Sequence, residues 1–222
     1  MLPLPPVTKN LIFTNIAVYL LCLILASQGL THIIEYFQLY TPGLSSKFMP
    51  HQYISYMFLH DMQGFMHIAF NMLALYMFGR DIEYAIGSKK FFVLYLVGGV
   101  GAGLLHSGIQ YWELSQHIAT YGLEQVQFAA DKIATVGASG SVYALLAAYA
   151  MLYPNRTLML LFPPIPMKAK YFVLIFAGLE LMSGIGQMRG TNLTNVAHFA
   201  HVGGALFGFL LILYWRKKGE LF

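Results

Sequence analysis

Six apolar blocks, each long enough to cross or nearly cross a bilayer, divide this chain: Leu11–Leu30, Phe65–Ile82, Phe91–Tyr111, Gly137–Tyr153, Tyr171–Gln187 and Leu193–Trp215. A helix of about 20 apolar residues spans a hydrocarbon core. Tyr111, Tyr153, Tyr171 and Trp215 stand at block ends, where amphipathic rings suit the membrane interface. The pattern predicts an all-α, polytopic protein: one six-helix membrane domain over residues 1–222, with a short tail over residues 1–10. The first block has no small-residue cleavage site after it, so it reads as a retained span and not a signal peptide.

The stretches between the blocks differ in character. Thr31–Gly64 holds Tyr36, Phe37, Tyr40, Phe48, Tyr53, Tyr56 and Phe58, which predicts a segment lying on or dipping into the interface. Trp112–Val136 is more polar, with Glu113, Glu124 and Asp131 against Lys132, and reads as a solvated loop with some helix. Pro154, Pro163, Pro164 and Pro166 punctuate Pro154–Lys170, ending one span and re-aiming the chain into the next.

Charge orients the bundle. One set of connections carries Lys9, Arg80, Lys89, Lys90, Arg156, Lys168, Lys170, Arg216, Lys217 and Lys218, ten in all, and the other only Lys47, Lys132 and Arg189. Positively charged loops stay inside, so both termini are expected in the cytoplasm, with the inner bacterial membrane as the expected location. The composition agrees with a membrane protein: 58% of residues are hydrophobic and 10% charged, where a soluble domain carries about 25% charged. The net charge of +4 is scattered over block ends, so no nucleic-acid-binding face is expected. Cys22 is the single cysteine, which excludes an intrachain disulfide and a cysteine metal cluster.

With that orientation, polar residues from three spans reach one depth below the outer surface. Ser139 lies in the first turn of the fourth span, His201 two to three turns into the sixth, and His67 and Asn71 in the outer half of the second. Serine is a weak nucleophile until a base takes its proton, and an imidazole is suited to that at neutral pH. A helix N-terminus at Ser139 favours developing negative charge. His67 and Asn71 are i,i+4 and present N–H donors on one face. Tyr143, one turn after Ser139, is placed to pack its ring on the imidazole. Glu180 is the only carboxylate well inside a span, and nothing in the pattern sets it beside His201. The expectation is therefore a Ser139–His201 dyad.

Taken singly, these residues have plainer readings. A serine among glycines is a common packing device in membrane helices. Asn71 alone reads as inter-helix glue, His106 as bonded to a backbone carbonyl, and His51 and His60 as interfacial. Gly137-Ala138-Ser139-Gly140-Ser141 lacks the second glycine of a G-x-S-x-G elbow. No H-E-x-x-H zinc signature is present. His198 and His201 share a helix face and could bind a metal with His67, but a carboxylate or cysteine partner is missing, so neither metal nor cofactor is expected.

The segments H-I-A-F-N-M (His67–Met72), G-A-S-G-S-V-Y-A-L-L from Gly137, and A-H-V-G-G-A-L-F-G (Ala200–Gly208) resemble those of the rhomboid intramembrane serine proteases, in the family's order. Arg80-Asp81-Ile82-Glu83 and the aromatic loop before His67 also look rhomboid-like. The resemblance covers essentially the whole chain, as a six-span bacterial form. It implies Ser139 as nucleophile and His201 as base. His67, Asn71 and the Ser139 N–H would form the oxyanion hole, and Tyr143 would stack on His201. Gly204 and Gly208 would let the sixth span approach the fourth closely. The A-H-x-x-G-x-x-x-G spacing selects His201 over His198, which is given a neighbouring or structural role. The pattern departs at His51-Gln52, where many members carry Trp-Arg, and Asp61, Gln63 and Gly64 are inserted before His67.

The resemblance also implies single-span membrane proteins as substrates, cut near the extracytoplasmic side at small residues in a locally unwound helix. Gly137–Tyr153 has 17 residues and reaches about 25 Å, short of a roughly 30 Å core, so the nucleophile is expected below the outer surface in a wet cavity. Two rivals frame this reading. A silent helix-binding adaptor would lack the serine or the histidine, and a small transporter would show paired carboxylates or interrupted helices in two related halves.

Overall fold

The computed structural model describes residues 3–62, 64–159, 164–189 and 197–221. Its helices, in chain order, are α1 (Pro6–Ser27), α2 (Thr31–Phe37), α3 (Gln52–Ser55), α4 (Phe65–Ala74), α5 (Arg80–Ile86), α6 (Ser88–Ser115), α7 (Ile118–Tyr121), α8 (Leu123–Ala130), α9 (Ser139–Leu152), α10 (Ala169–Met188) and α11 (His198–Lys217). A π-helical turn over Leu75–Gly79 joins α4 to α5, so the second apolar block is one helical run with a local widening. Of these helices, α1, α6, α10 and α11 are each long and apolar enough to cross a membrane, while α9 is an apolar helix of only 14 residues. The result is a helical membrane bundle.

Helix ends differ from the apolar blocks where polar groups intervene. The first helix opens at Pro6, ahead of the predicted Leu11, so Lys9 and the second half of the expected tail are helical. Proline suits this first position because its missing N–H would be unpaired there anyway. The buried Glu83 supplies the next partners. Its carboxylate accepts the Val7 N–H at 3.0 Å, the Thr8 N–H at 2.7 Å, the Thr8 hydroxyl at 2.8 Å and the Ser88 hydroxyl at 2.6 Å. One side chain therefore satisfies the start of α1 and ties it to the start of α6. The helix of the sixth apolar block, α11, opens at His198, with Ala197 as its N-cap. His201 is thus in the first turn, not two to three turns in. Pro163, Gln63 and the predicted start at Leu193 lie outside the described residues.

The centre of the bundle is α6, α9 and α11, brought together by small residues. A Cβ on Gly98 would stand 2.2 Å from the Ala144 Cβ, and one on Gly140 would stand 2.4 Å from the Ala102 Cβ. Membrane helices associate through such close packing because lipid offers no hydrophobic driving force. The Ser141 hydroxyl donates to the Tyr95 carbonyl at 2.8 Å, bonding α9 to α6 as well. By contrast, α10 buries only Ala169 and Gly184.

The aromatic segment after α1 goes further into the protein than an interfacial position requires. Tyr56 and Met57 are fully buried, and the Tyr56 hydroxyl donates to the Gly99 carbonyl at 2.6 Å. Tyr36 and Phe37 stay exposed. At the departure from the Trp-Arg pattern, Gln52 is fully buried and does the anchoring. Its amide donates to the Tyr36 and Lys47 carbonyls and its carbonyl accepts the Tyr40 N–H. His51 stacks on Tyr36 at 4.8 Å.

The polar loop before α9 is partly helical, through α7 and α8, and is pinned to this aromatic segment. Leu39 and Thr135 exchange backbone hydrogen bonds, and Leu44 packs with Val126 and Ala130. Asp131 accepts the Ser45 and Ser46 hydroxyls and the Ser46 N–H. Partial burial pushes its carboxyl up, but these hydroxyls and the Ser46 and Lys47 N–H groups outweigh that and hold it below its ordinary value. After α9, Thr157–Met159 (β1) pairs antiparallel with Pro166–Lys168 (β2), a short hairpin that the proline pattern did not announce.

Candidate active site

Ser139 is the first residue of α9. Gly137, just before it, has φ +133°, in the region that favours glycine, and its N–H donates to the Tyr56 carbonyl at 2.9 Å. A Cβ there would also meet the His67 Nε2 at 3.0 Å. Glycine is therefore required twice, for the backbone turn and for the ring beside it.

Across the gap, His201 Nε2 lies 2.8 Å from the Ser139 Oγ. The helices can come this close because Gly204 and Gly208 carry no side chain: a Cβ would stand 1.9 Å from the Gly140 carbonyl oxygen and 2.5 Å from that of Ala144. The Tyr143 ring stacks on the His201 imidazole, 4.3 Å between centroids and 7° between planes. When Nε2 accepts the Ser139 proton, the ring proton must sit on Nδ1.

His67 is set by its neighbours. The Asp61 N–H donates to its Nδ1 at 3.3 Å, which leaves Nε2 as the protonated nitrogen, and Nε2 faces Gly137. His60, read from sequence as interfacial, is instead buried and meets the His67 ring edge-on at 5.2 Å. Asn71 is also buried. Its amide donates to the His67 carbonyl at 2.9 Å within the same helix, and the second amide hydrogen remains for another acceptor. His106 bonds the Thr135 hydroxyl at 2.9 Å, where a backbone carbonyl was expected.

The group that sequence reasoning missed is Glu180. Its Oε2 stands 3.0 Å from the His201 Nδ1 and 2.6 Å from the His198 Nδ1, and its Oε1 accepts the Tyr143 hydroxyl at 2.5 Å. The only signal in the chain was its rarity as a carboxylate inside a span. Glu180, His198 and His201 also bring three ligand-type atoms within 4.8 Å of one another. Ligand atoms on a tetrahedral zinc at about 2.0–2.1 Å stand roughly 3.3 Å apart. The 2.6 Å His198 contact is shorter and fits a direct hydrogen bond to the carboxylate.

Comparison with protein families matches residues 47–218 to the Rhomboid domain. The chain belongs to the rhomboid family. Its proteases are intramembrane serine proteases, and this chain is an integral membrane protein. It is 28% identical to the Rhomboid protease AarA of Providencia stuartii, over 92% of this chain and 70% of that protein. It is 29% identical to the Rhomboid protease GlpG of Serratia proteamaculans, over 96% of this chain and 63% of that one. With Rhomboid protein 1, mitochondrial, of Saccharomyces cerevisiae it shares 29% identity, over 71% of this chain and 40% of the relative. The match thus spans less than two thirds of the latter two.

Proposed function

We propose that this rhomboid is an endopeptidase that cleaves single-span membrane proteins in or beside their transmembrane segment, with Ser139 as nucleophile and His201 as general base. The observation that carries this reading is the 2.8 Å contact between the Ser139 Oγ and the His201 Nε2 below a stacked Tyr143. His201 takes the serine proton as Oγ attacks a substrate carbonyl. The oxyanion then receives the Ser139 N–H at the α9 N-terminus, the His67 Nε2–H and the remaining Asn71 N–H. The imidazolium returns its proton to the leaving amine, and a water deprotonated by His201 releases the acyl group.

The asymmetry of Lys and Arg supports cytoplasmic termini, and so a site near the extracytoplasmic side, in a bacterial inner membrane. The short α9 starts the nucleophile below the outer surface, where water must enter a cavity among the helices. A confined site favours small residues beside the cut, in a substrate helix unwound enough to expose its carbonyls.

The test compares wild type, Ser139→Ala and His201→Ala on a single-span reporter, in vesicles and in cells. Wild type is expected to cut it and release the fragment on the extracytoplasmic side of the membrane, while either variant loses at least about 10³-fold in kcat. Cleavage surviving Ser139→Ala, or abolished by a chelator, overturns the dyad. Release of the fragment into the cytoplasm overturns the orientation. Reporter binding without cleavage favours the adaptor reading.

A further inference from the structure

We propose that Glu180 is a positioning residue for His201: it accepts the Nδ1 proton, fixes the imidazole tautomer that leaves Nε2 free to receive the Ser139 proton, and stabilises the imidazolium that forms. The inference deepens the proteolytic reading above and rests on it.

The geometry begins at the ring. His201 has two nitrogens, and Nε2 is engaged by Ser139 at 2.8 Å. Its Nδ1 is buried and, among the described residues, has no aligned hydrogen-bond acceptor; the carboxylate 3.0 Å away is Glu180. A buried imidazole N–H without an acceptor is costly, and a carboxylate at ion-pair distance is the strongest available remedy. The contact is off-line before substrate binds. Such catalytic hydrogen bonds commonly tighten only in the reacting complex.

The carboxylate is itself held. Its Oε1 takes the Tyr143 hydroxyl and its Oε2 takes the His198 Nδ1. Tyr143 therefore acts at both ends: its ring lies on the imidazole, and its hydroxyl aims the acid beneath it. A purely structural ion pair would not require one side chain to contact both the base and the acid. The base is thus enclosed by Ser139 and Tyr143 from α9, Glu180 from α10 and His198 from α11, while His67 from α4 and His106 from α6 interact electrostatically with it. Glu180 is the one carboxylate in that set, so it is the one anion facing the base.

Wild type, Glu180→Gln, Glu180→Asp and Tyr143→Phe would be assayed in vesicles on the single-span reporter, with Ser139→Ala and His201→Ala alongside. Each is measured for kcat, KM and the pH profile of kcat/KM, and thermal unfolding reports folding. Glu180→Gln is expected to lower kcat by roughly 10- to 100-fold, with KM within about twofold. That is less than the about 10⁴-fold cost of replacing a triad carboxylate elsewhere, because the Tyr143 stack still holds the ring. The acid limb of the profile should move to lower pH, since the imidazolium has lost its carboxylate. Glu180→Asp should recover part of kcat and return the limb. Wild-type kcat and an unmoved acid limb in Glu180→Gln overturn the proposal, as does a loss confined to KM.

If Glu180→Gln does not fold, Tyr143→Phe decides. It keeps the stacked ring and removes the hydroxyl on the acid, so a lower kcat with a moved limb supports the proposal, and an unchanged enzyme overturns it. Activity surviving in Ser139→Ala or His201→Ala instead brings down the proteolytic reading and this inference with it. Inactive controls beside a normal Glu180→Gln remove only the role of Glu180.

Discussion

Gly204 has room for no side chain, because an added Cβ would lie 1.9 Å from the backbone oxygen of Gly140. Neither backbone can yield without moving a whole helix. Gly204→Ala is therefore expected to separate α9 from α11, costing about 1–3 kcal/mol as an overpacked contact. It should lower kcat more than about tenfold, because the Ser139–His201 contact is lost over a fraction of an ångström. Gly108 in α6 is the control: nothing lies within 4 Å of its added Cβ, so Gly108→Ala should leave both stability and kcat near wild type. Thermal unfolding and reporter kinetics check the pair. At this scale the candidate residues were legible from sequence, since polar groups in apolar blocks are rare enough to stand out. The partners of the other histidines were not. His106 meets Thr135 and His60 meets His67 because of how loops fold back, which spacing along one helix does not encode.

The helices carry a second dependence, at their ends. Four donor groups converge on Glu83, and all would lose a charged acceptor together. Glu83→Ala is expected to destabilise the protein by about 1–3 kcal/mol, the cost of unsatisfied buried polar groups. Fraying should begin at α1, read as faster hydrogen exchange over its first turn, with reporter cleavage by the folded fraction retained. The apolar blocks located the helices well but misjudged their ends. Pro6 opens α1 early because Glu83 and the proline ring satisfy a helix start outside the apolar run. The 28-residue α6 runs past Tyr111 to Ser115, since polar residues extend a helix as readily as apolar ones.

Across the whole molecule, the segment before α4 and the segment before α9 are joined to each other, by the Leu39–Thr135 pairing and by Asp131. Because the Asp131 carboxyl is held below its ordinary value in the folded protein, it contributes stability at pH values above about 3.9, the unfolded value. That contribution is lost as pH falls through the lower folded value. Protection of the Ser46 and Lys47 amides, relative to their intrinsic exchange rates, should therefore fall on acidification below about pH 4, and Asp131→Asn should show reduced protection already at neutral pH. A pH-independent difference between the two proteins would contradict this assignment.

The chain alone determined that it is a helical membrane protein, which segments are apolar and where rare polar groups fall among them. Those properties follow from local hydrophobicity and from the cost of placing polar atoms in hydrocarbon. Tertiary structure alone decided how closely those groups meet and what else joins them. Ser139 and His201 are 62 positions apart, and the glycine contact between α9 and α11 brings them to 2.8 Å. Glu180 lies on the least buried of the long apolar helices, and no periodicity sets the rotation of that helix against the others. Only the packed arrangement turns its carboxylate onto the imidazole.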